Sequence, residues 1–99
     1  MALLKKAAGQ GHVYAMLELG VFYDQSMEHE QAVKWYTKGA EAGLPKAMLL
    51  LGCSLDEGEG VAAPDYPMAA GWYRRAAAAG NADAANNLNH MYEVGRGGA

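Results

Sequence analysis

Small and apolar residues recur along this chain at helical spacing. Ala15, Leu19 and Tyr23 lie four apart, which puts them on one face of a helix. The same phrase returns at Ala47, Leu51 and Leu55, then at Ala84, Leu88 and Tyr92. The offsets are 32 and then 37 residues. A second phrase alternates with the first. Ala32, Tyr36 and Ala40 share a face, and the stretch 32–43 returns at 69–80 after 37 residues. The pattern predicts two kinds of helix in alternation, here called A and B. A repeat of this length built from helical residues is the mark of a solenoid.

Turn residues punctuate the phrases at matching places. Gly11, Gly43 and Gly80 each precede an A helix and are predicted to stop the helix before it. Pro45 suits the first turn of the second A helix, where no backbone donor is required. Asn81 is predicted to cap the third, and Ser26 to cap the first B helix. Asp65, with Pro67 two residues on, reads as the start of the second B helix. Gly20 and Gly52 fall in mid-helix at equivalent positions, at a cost of roughly 1 kcal/mol each relative to alanine. Their recurrence predicts close approach by another helix. Asn89 takes that place in the third A helix, which is expected to pack less closely. The connection after the second A helix is five residues longer than that after the first, which accounts for the change of offset.

Each B helix carries a Trp-Tyr pair, Trp35-Tyr36 and Trp72-Tyr73. Trp35 stands beside the core face and is expected to reach a neighbouring helix. The spacing divides the chain into four segments. Residues 1–10 read as the tail of a repeat lacking its first part, 11–43 and 44–80 as two repeats, and 81–99 as a third A helix with its loop.

Composition narrows the picture further. Five valines, one threonine and no isoleucine favour helix over strand. A formal net charge of −3 gives no dense basic patch, so no nucleic-acid partner is expected. No apolar run approaches the roughly 18 residues of a membrane span, so no membrane partner is expected. The segment at Met1 is charged too soon to be a secretory signal, and the single Cys53 has no internal partner for a disulfide. Both features point to a cytoplasmic location.

Taken together, these residues spell a pattern that resembles the Sel-1-like repeat. The second repeat carries it through Gly43, Ala47, Leu51, Gly52, Gly58, Gly60, Val61, Asp65, Ala69, Trp72, Tyr73, Ala76, Ala77 and Gly80. Leu55 replaces a tyrosine there. The first repeat lacks the Gly-x-Gly-Val loop and has Gly39 in place of an alanine. The tetratricopeptide repeat is similar in fold, but its signature puts tryptophan in helix A at a fixed period of 34. The resemblance implies an all-α fold, a right-handed α-solenoid of antiparallel helix pairs. It also implies a non-enzymatic adaptor that assembles protein complexes, such as those of bacterial signalling and envelope processes. Some secreted members carry disulfides within each repeat, and the lone Cys53 departs from them.

Candidate chemistry is sparse. Neither Ser26 nor Ser54 has a lysine three residues on, so the Ser-x-x-Lys arrangement is absent. His12, His29 and His90 show no metal-ligand spacing, and the Gly-x-Gly elements follow no strand. Cys53 paired in space with His90 is the one enzymatic arrangement to weigh, as a small hydrolase. No catalytic residue, metal or cofactor is expected. What remains is the strip of the A helices opposite the core, on the concave side of such a stack. It comprises Tyr14, Glu18 and Val21, then Lys46, Leu50 and Cys53, then Asp83, Asn87 and His90. This mixed strip is the candidate site for an unknown protein or peptide, with Lys46 and Asn87 placed to bond its backbone or a carboxylate. The alternatives are self-association as a head-to-tail or swapped homodimer, and membership of a longer repeat array.

Overall fold

A computed structural model describes residues 12–95. Five helices follow one another without an intervening strand among the described residues. They are α1 (Val13–Gln25), α2 (His29–Glu41), α3 (Pro45–Glu57), α4 (Tyr66–Ala78) and α5 (Ala82–Glu93). Each packs against its neighbours in sequence, so the chain is an α-solenoid of antiparallel helix pairs. α1, α3 and α5 are the A helices, and α2 and α4 the B helices. The expected end of a B helix in residues 1–10 and the stop at Gly11 lie outside the described residues.

One core runs the length of the stack. It is lined by Ala32, Tyr36 and Ala40 from α2 and Ala47, Leu51 and Leu55 from α3, with Leu17, Val21 and Tyr23 of α1 packed against it; Leu19 of α1 is fully enclosed outside that cluster. The core continues through Ala69, Tyr73 and Ala76 of α4 to Ala84 and Met91 of α5. Alanines at the helix crossings keep the axes close, and the two tyrosine rings fill the space between them. A buried ring of this size removes on the order of 150–250 Å² from water, worth roughly 4–6 kcal/mol before ordering entropy is counted. Trp35 does not take that part. It is half-buried beside the core, whereas Tyr36 is almost fully enclosed.

The mid-helix glycines explain how the tyrosines fit. A Cβ on Gly20 would lie 2.6 Å from the Tyr36 ring, and one on Gly52 would lie 2.6 Å from the Tyr73 ring. The close approach expected from the sequence is therefore made by a ring from the B helix of the same pair.

Three of the helix ends share one device. Leu44 N donates to Gly39 O at 3.1 Å and Gly43 N to Ala40 O at 3.0 Å. Asn81 N to Ala76 O and Gly80 N to Ala77 O repeat this pairing after α4. These are paired C-terminal bonds closed by a residue in the left-handed region. The same pairing ends α1, where Met27 N donates to Asp24 O and Glu28 N to Tyr23 O. Here the left-handed residue is Met27, with φ of 63° and an exposed side chain.

Helix starts follow the sequence at three places and depart from it at one. Asp65 accepts from Met68 N at 3.1 Å, Asn81 accepts from Ala84 N at 2.9 Å, and Pro45 opens α3. Ser26 does not cap α2. It lies at the C-terminal end of α1, Glu28 precedes α2, and no side chain caps that helix. The three-residue turn closes through the backbone pairing at Met27, which puts Ser26 on the wrong side of the turn.

Candidate interaction surfaces

The A-helix strip reaches the surface unevenly. Tyr14, Glu18, Lys46, Asp83 and His90 are exposed, while Val21, Leu50, Cys53 and Asn87 are half-buried. Tyr14 is 70% exposed, although Leu19 on the same helix is wholly enclosed. Asn89 is exposed on α5, in the place that Gly20 and Gly52 hold under their tyrosines.

Two members of the strip meet. Asn87 Nδ2 of α5 donates to Cys53 Sγ of α3 at 3.6 Å, and the Tyr73 hydroxyl hydrogen-bonds in the same group. Burial pushes the Cys53 thiol up from its ordinary range, the Tyr73 hydrogen bond opposes that shift, and the nearby Glu57 and Asp56 charges add to it. The partners of Cys53 are thus an amide and a phenol rather than His90. A protonated thiol held this way is a poor nucleophile. Among the described residues, no group of three or more His, Cys, Asp or Glu is placed to hold a metal ion.

A second polar cluster escaped the sequence reading. His29 Nδ1, at the start of α2, donates to Asp24 Oδ1 in α1 at 2.6 Å. Tyr36 donates its hydroxyl proton to Asp24 Oδ2 at 3.2 Å. A single carboxylate of α1 thereby holds two residues of α2 that lie about two turns apart. Burial raises the Tyr36 phenol well above its ordinary range, with the Asp24 charge next and the hydrogen bond to it after that, so the hydroxyl stays a donor. His29 Nε2 is buried without a hydrogen-bond partner, and Glu59 Oε2 stands 3.6 Å away. The one clue in the sequence was Asp56, which repeats Asp24 at the 32-residue offset.

Glu59 comes from the longer loop between α3 and α4. That loop lies back on the first repeat: a Cβ on Gly60 would collide with the His29 carbonyl and with Val33. An open depression of about 520 Å³ remains beside it, bounded by Met27, Glu28, His29 and Val61. Acidic side chains gather here. Burial raises the Glu57 carboxyl above the usual carboxylate range, helped by a hydrogen bond with Glu59 and the charges of Glu59, Asp56 and Asp24.

The B helices present a different outer surface. Lys38 Nζ sits 4.5 Å from the centre of the Trp35 ring, and Arg75 Cζ sits 4.5 Å from that of Trp72. These cation–ring pairs are one turn apart on their helices and recur at the 37-residue offset. Arg74 Nη2 donates to the Tyr92 hydroxyl at 2.7 Å, which ties α4 to α5. No helix among the described residues is long and apolar enough to cross a membrane.

Comparison with known proteins agrees with this architecture. The family model of the Sel1 repeat matches residues 1–12, 13–44 and 45–81. The crystal structure of a protective antigen of uropathogenic Escherichia coli with an SLR fold superposes with a TM-score of 0.90 at 36% identity. A Sel1 repeat protein from Oxalobacter formigenes superposes with a TM-score of 0.86 at 37% identity. The alignments cover 97% and 95% of this chain but only 21% and 40% of those two. No curated protein matches the chain closely.

Proposed function

The chain belongs to the Sel1 repeat family, and from that premise we propose that it is a non-enzymatic scaffold that holds a protein segment on its A-helix strip. The observation that carries the reading is Tyr14, whose ring is 70% exposed on a helix whose other side is core. Val21, Leu50 and Cys53 add half-buried apolar surface along the same strip, and Lys46, Asp83 and His90 supply polar groups at its edges. Asn87 has a supporting part, because its amide is engaged with Cys53. The strip thus offers an aromatic anchor and a polar rim, the usual makings of a peptide-binding surface. The absence of catalysis is part of the proposal. It is supported by the company Cys53 keeps and by an Asp24–His29–Tyr36 cluster that includes no activated nucleophile.

A photo-crosslinking residue placed at Tyr14 tests this reading. The expected result is a discrete adduct with one partner, and loss of that partner's binding in Tyr14→Ala and Lys46→Ala. Unchanged binding in both variants would remove the strip from consideration.

Self-association is the second reading, favoured by Tyr92 and Val94, which are 40% and 50% exposed at the end of α5. It predicts a dimer by light scattering that Tyr92→Glu converts to monomer.

A further inference from the structure

The described lysines and arginines are not spread evenly. Lys34 and Lys38 lie on α2 and Arg74 and Arg75 on α4, leaving only Lys46 on an A helix. Glu30 and Glu41 share α2 with the lysines, but other carboxylates gather elsewhere. Asp24, Glu28, Asp56, Glu57 and Glu59 surround the turn after α1 and the loop after α3. Among the described residues, no ion pair joins Lys34, Lys38 or Arg75 to a carboxylate. Beyond the ring contacts of Lys38 and Arg75, these charges meet no ionic partner among the described residues.

That face also carries apolar surface. Trp35 and Trp72 are half-buried, so each ring keeps an open portion beside its cation. Next to Trp35 lies an open hollow of about 420 Å³, mostly apolar, bordered by Lys34, Thr37, Lys38 and Glu41. Glu41 marks one end of it with a like charge for any acid. The equivalent positions on α4 strengthen the pattern: Glu41 becomes Ala78 and Thr37 becomes Arg74, so α4 bears no acid at all.

We propose that the outer face of α2 and α4 docks an acidic peptide segment, its apolar side chains lying on Trp35 and Trp72 and its carboxylates meeting Lys38 and Arg75. The chemistry follows from charge complementarity. An anionic segment is repelled by the turn-side acids and drawn to the B-helix cations. The tryptophan rings add desolvated contact that a purely ionic patch lacks. Because the ring and its cation recur one repeat apart, the segment makes the same contact twice, and a longer array of such repeats extends the register. This surface is distinct from the A-helix strip and does not depend on it.

Fluorescence anisotropy with a labelled dodecapeptide, Glu-Leu-Glu-Gly repeated three times, tests the proposal. The expected result is saturable binding that weakens at least about tenfold in the Lys38→Glu, Arg75→Glu double variant, and severalfold as salt rises past the screening range of about 0.1 M. The same peptide with lysine for glutamate is expected not to bind. Tyr14→Ala is expected to leave binding unchanged, which separates this face from the A-helix strip. Both charge reversals lie at exposed positions, and an unaltered thermal melt checks that the variant folds. Equal binding of the lysine peptide, undiminished binding in the double variant, or no binding at all overturns the proposal. So does a wild-type dimer that the double variant abolishes, because the occupant is then a second copy of the chain.

Discussion

The Tyr36 ring fills the space that a side chain on Gly20 would need, and Tyr73 stands in the same relation to Gly52. Each A–B pair is locked by a ring seated over a bare stretch of helix. The glycine costs helix stability locally, and the seat it creates recovers more through burial of the ring.

Gly20→Ala and Gly52→Ala are therefore expected to destabilise, although alanine is the better helix former. A gain of about 1 kcal/mol in propensity is outweighed by about 1–3 kcal/mol of overpacking against a fixed ring. Gly71, in the middle of α4, is the contrast. A Cβ there meets nothing within 4 Å. Gly71→Ala is expected to stabilise by up to about 1 kcal/mol. Urea midpoints for the three variants check the opposite signs.

The two side-chain caps give a second expectation. Asp65→Ala and Asn81→Ala each remove an acceptor from an otherwise unpaired backbone N–H at a helix start. Each is expected to cost about 1 kcal/mol, and Ser26→Ala to cost nothing measurable. Thermal melts of the three variants distinguish a cap from a residue that merely lies near a turn.

These starts also show what was legible from sequence alone. Asp65, Asn81 and Pro45 act locally, so residue type and position sufficed. The alternation of A and B helices was legible for a similar reason, since one spacing recurs. Ser26 was misread because the turn after α1 closes through Met27, a residue whose side chain gives no hint of a left-handed backbone. Of the Trp35-Tyr36 pair, the tyrosine is the residue enclosed in the core and the tryptophan is half-buried beneath Lys38, a division that size alone did not predict. The Asp24–His29–Tyr36 cluster joins two helices, and no local spacing rule reaches across that turn.

Met27 itself provides a third expectation. A non-glycine residue in the left-handed region carries strain of roughly 1–2 kcal/mol, which the pairing at the end of α1 holds in place. Its side chain is exposed, so little contact is lost on truncation. Met27→Gly is expected to stabilise by about 0.5–1 kcal/mol, net of the greater freedom of glycine in the unfolded chain. Chemical denaturation of the variant checks it.

The raised Glu57 carboxyl predicts a pH dependence. Burial, the hydrogen bond with Glu59 and the surrounding acids make the folded protein hold this proton more tightly than the unfolded chain does. Stability from this group is fully present below the ordinary carboxylate value of 4.5 and falls as pH rises through the higher folded value. Glu57→Gln is accordingly expected to raise the urea midpoint at pH 7 and to leave it nearly unchanged at pH 4. A midpoint gain of equal size at both pH values would contradict this.

One missing methyl group distinguishes the two junctions between repeats. A Cβ on Gly39 would lie 2.9 Å from that of Ala47, nearer than real Cβ atoms come. At the equivalent junction, Ala76 of α4 and Ala84 of α5 both carry that atom. At this contact the first pair of repeats has room for an approach that the second pair fills with a methyl group. A partner that spans both junctions therefore meets two that are packed differently, and that difference can discriminate between ligands even where the contacting side chains are the same.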